Sequence, residues 1–558
     1  MSAVAFNKQQ FLKLLGKNLS DKDIEEKVSN IGIGVEKIDS KEIILDVFPN
    51  RPDMLGEYGL TRALKTFIGI DKGMRKYRVN KSNYKLFVNK NVKNIRPYAA
   101  CAVVKNLKIN EEKLKQIIQL QEKLHLTYCR GRKKAAIGVY PLDRISFPVN
   151  YSAMKPNEIL FRPLDSGMEM SAEEILEKHP KGKQYGHLID GKKFYPVWTD
   201  NKNNVMSLAP IINSHLTGKL DENTKDVFIE CTGNDYKALS KCINIMSAEL
   251  ADSGGELYEV EISMYGKKLA SPKMMEEEIE LDAEYINNKL GLNIKEKEIA
   301  NLLSRMGHGT KKKREKIIAL VPPYRTDVLH AIDIVEDIAI AYGYDKFSEE
   351  MPKIVTIAEE NGFEIFKNKV CNILTTLGFQ ECNTYNLDSI ENQAEKMNLD
   401  SKKWNFVELA NALNEDYKIL REWITPSLMK VLAENKHNEY PQNIFCTGRC
   451  FRRDENSETK VKEFVRLGIL LCNSNSNFTH AKQVMQSLLD SLNVKYDINE
   501  TEHTSFITGR VARMSAKGEN IAYLGEIHPK VLENYNLEMP VAALEINLTE
   551  LFKIIKEK

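Results

Sequence analysis

A chain of 558 residues, 42% hydrophobic and 28% charged, has apolar material for several ordinary cores and more length than one core organises. A net charge of only +2 excludes a uniformly basic nucleic-acid binder, so such a partner must be met by local patches. No apolar run approaches the ~20 residues of a membrane helix, so no membrane partner is expected. The nine cysteines are scattered with no C-x-x-C pair, which points to reduced thiols in a cytoplasmic protein.

In chain order, four blocks are predicted. The first, 1–80, starts as a folded domain and not as a signal peptide, since Phe11–Leu15 is its only early apolar cluster. A strand over Glu42–Phe48, the turn Pro49-Asn-Arg-Pro-Asp53 and a helix over Leu60–Phe67 stopped by Gly69 make it a small α+β domain. The second block, 82–271, carries the basic stretches Arg130–Lys134 and Lys178–Lys193 and a strand-like run, Val227–Thr232, of the kind that also fits an ordinary edge strand. In the third, 272–347, helices are predicted over Leu281–Leu290 and Glu296–Met306, a basic stretch over Lys311–Lys316 and a strand over Ile317–Val321. The fourth, 351–558, has helical spacing from Phe363 to Leu377, a strand over Phe379–Leu387, and two strands, Asn443–Asp454 and Phe464–Cys472, joined by a charged loop.

The segment from Val321 to Asp345 concentrates acids. Pro322 and Pro323 block a helix before them, Asp327 is a natural N-cap and Gly343 a natural stop. Asp333, Glu336 and Asp337 then share one helix face, where like charges repel unless something positive answers them. A hard divalent cation with oxygen ligands does this, and an acidic first turn suiting the helix dipole is an equal reading of the spacing.

The run Pro323-Tyr-Arg-Thr-Asp327, then Asp333, Glu336-Asp337 and Tyr342-Gly-Tyr-Asp345, resembles the phenylalanine–tRNA ligase beta-subunit family. That resemblance implies that Asp327, Asp333, Glu336 and Asp337 hold a magnesium ion (Mg2+) shared with the alpha subunit. Phe48–Asp53 with Gly59 and Arg62 resembles the family's N-terminal domain. Cys129–Val139, Tyr195–Ser214 and Thr224–Asp235 resemble its editing domain, with Tyr140-Pro141 departing from the family's usual Asp-Leu, Ala209 from its Pro and Glu230 from its Asp. An editing site has a physical motive: a pocket for phenylalanine rejects an analogue that only adds a hydroxyl by roughly 10²-fold, whereas a second pocket can select that hydroxyl. Glu230 and Thr232 on one strand face, with Ser207 and Asn213 lining the same cleft, are the candidates. A positioned water is expected, since no Ser-His-Asp or Cys-His arrangement stands out.

The fourth block resembles a class II synthetase domain, with Arg452 at the ATP-binding arginine of the second motif. No arginine follows Arg513, so the arginine that grips the ATP tail in active members is missing. A catalytic-like domain that does not adenylate is therefore expected, and Arg452 reads best as a surface or interface arginine. Leu420–Leu428 and Leu524–Pro529 resemble the beta subunit specifically. The resemblance implies a multi-domain α+β fold: an N-terminal α+β domain, an editing domain, a helical metal-bearing domain, and a class II-like antiparallel sheet with helices. It further implies an alpha partner that uses ATP, tRNA-Phe as substrate, a heterotetramer of two alpha and two beta subunits, and an archaeal type. The rival expectations are a free-standing aminoacyl-tRNA deacylase, a non-catalytic tRNA-binding subunit, and a metal-dependent phosphohydrolase.

Overall fold

Short polar side chains decide where many helices begin. Ser20 and Ser171 form capping boxes with Asp23 and Glu174, and Asp235 accepts the Ala238 N–H. The structure, a computed structural model, describes residues 3–314, 316–351 and 357–556, and divides into two units, Met1–Met351 and Pro352–Lys558. Glu315, inside the Lys311–Lys316 stretch, and the first two residues of the N-terminal stretch lie outside the described residues.

The first unit opens on a three-stranded antiparallel sheet in which Glu42–Asp46 runs between Ala3–Asn7 and Gly34–Ile38. The strand ends at Asp46, short of Phe48, and the helix Glu57–Phe67 begins three residues before Leu60. Two larger sheets follow. A five-stranded one contains β1 (Tyr98–Lys105) and β2 (Ala135–Pro141); a seven-stranded one contains β3 (Val205–Leu208) and β4 (Ile212–Asn213). An inner strand of the five-stranded sheet, β5 (Val227–Gly233), runs between β1 and β2, antiparallel to both and buried along its whole length. The edge-strand reading of Val227–Thr232 is thus corrected. A strand paired on both sides and covered on both faces needs a near-continuous apolar run, which Val227, Phe228, Ile229 and Cys231 supply. Helix α1 (Tyr236–Asp252) packs on β1 and β5. On the opposite side, Phe228 of β5 meets Trp198 of the seven-stranded sheet edge-on at 6.2 Å, and Trp198 in turn packs on Tyr151.

The unit ends with a three-stranded sheet whose central strand is β6 (Lys316–Val321), flanked by Glu277–Leu281 and Gly309–Lys313, and with helices Ala283–Leu290, Glu296–Arg305 and α2 (Ala331–Tyr342). Leu281 closes a strand instead of opening a helix, because Asp282 accepts the Tyr285 N–H and starts the helix after itself. Three lysines of the basic run pair with neighbours: Lys311 with Glu278, Lys312 with Glu296, and Lys316 with Glu280.

The second unit is built on a seven-stranded sheet. Its order is Gln380–Glu381, β7 (Gln442–Arg453), β8 (Val461–Cys472), then β11, β10 and β9, and Asp497–Glu500. Here β9 is Phe506–Ala516, β10 is Glu519–Ile527 and β11 is Val541–Asn547. Every pairing is antiparallel except that of Gln380–Glu381 with β7. Helices Gly362–Thr376, Phe478–Ser491 and Leu548–Lys556 build one apolar core and Thr425–Asn435 contributes to a second. The predicted strand over Phe379–Leu387 shrinks to two-residue pieces, Gln380–Glu381 and Leu387–Asp388, in different sheets. Cys446 and Cys450 are buried free thiols on β7. Among the described residues no helix is long and apolar enough to cross a membrane. The chain is a multi-domain α+β protein with several sheets.

Candidate functional site

A cavity of about 420 Å3 in the first unit gathers all four residues expected to edit: Ser207, Asn213, Glu230 and Thr232. Backbone pairing explains the meeting. Glu230 and Thr232 alternate on one face of β5, and Ser207 on β3 pairs directly with Asn213 on β4. Ile137, Val139, Leu208 and Pro210 add apolar wall. Glu230 stands opposite Gly138 on β2, and the missing side chain there makes the room: a Cβ at 138 would lie 2.6 Å from Glu230 Oε1 and 2.8 Å from the Tyr140 hydroxyl.

Tyr140 was visible in the sequence only as part of a departure from the family pattern, yet it organises this cluster. Its hydroxyl lies 3.1 Å from Glu230 Oε1 and 3.1 Å from Asn213 Oδ1. One oxygen of Glu230 is therefore held, while Glu230 Oε2 and Ser207 Oγ are buried with no hydrogen-bond partner. Burial pushes the Glu230 carboxyl up to about 8, against the opposing pull of the Tyr140 hydrogen bond and the Arg96 charge. Near neutral pH the group is chiefly the uncharged acid, able to donate as well as accept. The Tyr140 hydroxyl has one proton to donate and two acceptors in reach, Glu230 Oε1 and Asn213 Oδ1.

Thr232 Oγ1 accepts from Arg96 Nε at 3.0 Å, and the same guanidinium donates to the Thr232 and Arg132 carbonyls. Arg132, from the basic stretch Arg130–Lys134, is buried, donates to the Pro210 and Ile211 carbonyls, and pairs with Glu122 at 2.9 Å. That arginine is a wall of the cavity and not a solvated charge. Among the described residues lining the cavity there is no His or Cys, so no nucleophile–imidazole pair is assembled in it. An apolar cavity with a few convergent, unspent polar groups is the form of a small-ligand site.

The acid-rich segment is organised differently. Gly343 ends α2 at φ 102°, as the sequence predicts, but the helix starts at Ala331 and not at Asp327. Asp333 Oδ2 takes the Leu329 and His330 N–H groups, each at 2.7 Å, and serves as the cap from inside the first turn. Asp327 is instead gripped bidentately by Arg325, at 2.8 and 2.7 Å. The same guanidinium donates to buried Asp337 at 2.8 Å, and His308 Nε2 lies 2.6 Å from that carboxylate. Burial pushes Asp337 up, but Arg325 and the His308 hydrogen bond outweigh it and hold the carboxyl well below the usual carboxylate range. Glu336 is exposed. Among the described residues no group of three or more His, Cys, Asp or Glu is arranged to hold a metal ion. As placed, Asp327, Asp333, Glu336 and Asp337 do not fit one shared magnesium ion: the positive charge that answers two of them is Arg325, and a third is spent on backbone.

In the second unit, Arg452 pairs through Nε with Glu422 at 2.5 Å and its side chain stays half exposed. The strand β11, in the place where the sequence lacks an arginine, is an inner strand of the sheet and carries Glu545 inward.

Two family models match. The phenylalanyl tRNA synthetase beta chain CLM domain covers residues 348–548, and the tRNA synthetase B5 domain covers 279–344. The phenylalanine–tRNA ligase beta subunit of Pyrococcus horikoshii is 40% identical over 93% of this chain and 91% of that one. The chain belongs to the phenylalanine–tRNA ligase beta-subunit family. The beta subunit of Methanocaldococcus jannaschii is 38% identical over 98% of this chain and all of its own length. A crystal structure of an N-terminal fragment of the Pyrococcus horikoshii beta subunit superposes with a TM-score of 0.59 at 38% identity, covering 61% of this chain and 99% of the fragment. The family assignment thus spans both units of the chain, while the cavity chemistry rests on this chain's own residues.

Proposed function

We propose that this chain is the beta component of a phenylalanine–tRNA ligase which, with an alpha partner, joins phenylalanine to tRNA-Phe using ATP. In this proposal alpha carries adenylation and transfer, two copies of each subunit assemble, and the protein works in the cytoplasm. Residues 1–80 form an N-terminal α+β domain, 82–271 an editing and tRNA-binding domain, 272–347 a helical domain, and 351–558 a catalytic-like module that does not adenylate. The expected magnesium ion has no assembled donor set among the described residues, so no step is routed through it.

The editing part of the proposal rests on one observation: Glu230 keeps one oxygen bonded and one bare inside an apolar cavity. A tyrosyl ring fits against Ile137, Val139, Leu208 and Pro210, and its hydroxyl meets Glu230 Oε2 and Ser207 Oγ. A phenylalanyl ring in the same place leaves both groups buried and unpaired, an arrangement that discriminates far more strongly than an apolar pocket does. Water, positioned by the surrounding polar groups, attacks the ester carbonyl; the leaving ribose hydroxyl takes up the proton. The test is hydrolysis of Tyr-tRNA-Phe and Phe-tRNA-Phe by wild type and Glu230→Ala. Tyrosyl-selective hydrolysis lost in the variant supports the proposal, and unchanged hydrolysis removes Glu230 from it. The Tyr140 hydroxyl already resting on Glu230 favours a second reading, a tRNA-binding subunit whose pocket is filled by its own side chain; tRNA binding without any deacylation is its signature.

A further inference from the structure

The first unit contains a second cavity, of about 210 Å3, where the turn before the helix Glu57–Phe67 and that helix itself meet the loop 71–75 and the pair Tyr324-Arg325. Four arginines and a lysine line it: Arg51, Arg62, Arg75, Arg325 and Lys72. Only two acids, Asp53 and Asp71, stand in the same wall. Arg51, Arg62 and Arg325 are each nine-tenths buried or more. None of these residues lines the editing cavity.

The other carboxylates that answer these charges lie outside the cavity wall. Arg62 Nη1 and Arg75 Nε share Asp252, and Arg325 is bound to Asp327 and Asp337. Within the wall, Asp53 takes Arg51 Nε at 2.9 Å and Nη2 at 2.8 Å. Burial pushes the Asp53 carboxyl up, but Arg51, Arg325 and Arg62 outweigh it and hold it below the usual carboxylate range. One short acid thus stands in the field of three guanidinium groups. Their donors are only partly used. Arg51 bonds through Nε and Nη2, which leaves Nη1. Arg62 bonds through Nη1 to Asp252 and Tyr77, which leaves Nε and Nη2, while its guanidinium lies 3.9 Å over the Tyr324 ring. A buried N–H with nothing to donate to is costly, and planar guanidinium donors match the oxygens of an oxyanion. The volume of about 210 Å3 is several times the ~30 Å3 of one water and below the ~300 Å3 at which pockets for drug-sized ligands begin. It suits a small ion and not a nucleotide.

We propose that this cavity is a binding site for a small tetrahedral oxyanion of the phosphate class, held by the unspent N–H groups of Arg51 and Arg62 and by the positive field of Arg325, Arg75 and Lys72. The bound ion cross-links the first block of the chain, through Arg51 and Arg62, to the third, through Arg325. No covalent bond is made or broken. The proposal depends on neither the editing reading nor the magnesium ion.

The probe is inorganic phosphate, titrated calorimetrically into the full chain against chloride at constant ionic strength, with the melting temperature followed in parallel. Saturable binding, with a dissociation constant in the millimolar range or tighter and a melting temperature that rises to a plateau, is the expected result. Ala63, on the same wall, supplies the variants. Ala63→Glu keeps every arginine–acid pair and extends a carboxylate from the helix; Ala63→Gln has the same size without the charge. Ala63→Glu should melt above Ala63→Gln when phosphate is absent, and should bind phosphate weaker than wild type by roughly tenfold or more. Arg75→Gln, at an exposed side chain, should weaken binding several-fold while circular dichroism stays that of wild type. Glycerol phosphate separates the sources of the ion: weaker binding than inorganic phosphate assigns the free ion, equal or tighter binding a phosphate carried by a larger molecule, and both keep the site. No heat and no shift up to tens of millimolar phosphate overturns the proposal. So does binding that Ala63→Glu and Arg75→Gln leave unchanged, which places the ion elsewhere. A melting temperature that climbs without saturating, in wild type and Ala63→Glu alike, overturns it too, because that is the general effect of excluded kosmotropic salts.

Discussion

Replacing Glu230 by glutamine gives a variant of nearly the same shape that does not titrate, and the consequence can be worked from the structure. In the folded chain the carboxyl is pushed up to about 8; its ordinary value is 4.5. Between those values the native state holds a proton that the unfolded chain releases, so stability present at low pH is lost as pH rises toward 8. The slope approaches about 1.4 kcal/mol per pH unit, which makes about 2–3 kcal/mol between pH 5 and 7. Glu57 and Glu249, pushed to about 8 and about 7, titrate in the same window but are common to both proteins. The difference in unfolding free energy, wild type minus Glu230→Gln, must therefore fall by that amount over this range. Urea unfolding at a series of pH values, combined with hydrogen exchange of the amides of β5, measures it. Parallel pH profiles for the two proteins refute a neutral, buried Glu230.

Tyr140→Phe removes the hydroxyl that orients Glu230 and leaves the ring in place; Tyr-tRNA-Phe hydrolysis should drop by about tenfold, from a lost hydrogen bond of about 1.5 kcal/mol, with aminoacylation by the complex unchanged. Equal hydrolysis by the variant contradicts that orienting role. Arg325→Met removes the arginine from Asp337, a buried carboxylate, and leaves it His308 alone, which should cost about 3 kcal/mol in thermal or urea unfolding; part of this loss should return as pH is lowered and the carboxyl takes a proton. A loss below 1 kcal/mol means the Arg325 cluster contributes little. Gly448→Ala puts a Cβ 2.0 Å from Arg421 Nη2, whose guanidinium is fixed by Arg449 O, Thr384 and Asn386, so the second unit should lose about 1–3 kcal/mol.

Local punctuation was legible in the sequence. Gly343 stops α2, the Asn443 and Phe464 strands pair as β7 and β8, and Ile317–Val321 enters the double proline as β6. Where two acids competed for one cap, spacing chose wrongly: Asp327 precedes the helix, but Arg325 two residues earlier claims it, and Asp333 reaches back to the free N–H groups. A short apolar run such as Val227–Cys231 does not reveal how many neighbours it has, because edge and central strands differ only in pairing partners far along the chain. The same distance hides the cavity's organisers. Arg96 and Thr232 are 136 positions apart, and Tyr140 meets Glu230 across 90. The four editing candidates lie in one cavity: strand alternation puts Glu230 and Thr232 on one face, while only the family resemblance, and nothing in the spacing, brought Ser207 and Asn213 to them. The four acids did not converge, since nothing in their spacing shows that an arginine lies between two of them.

The most direct test is aminoacylation of tRNA-Phe by this chain alone and after co-expression with an alpha subunit from the same genome. The account predicts a stable complex that charges tRNA-Phe with phenylalanine and a chain that is inactive by itself. Charging by the chain alone, or failure to form any complex with alpha, contradicts it.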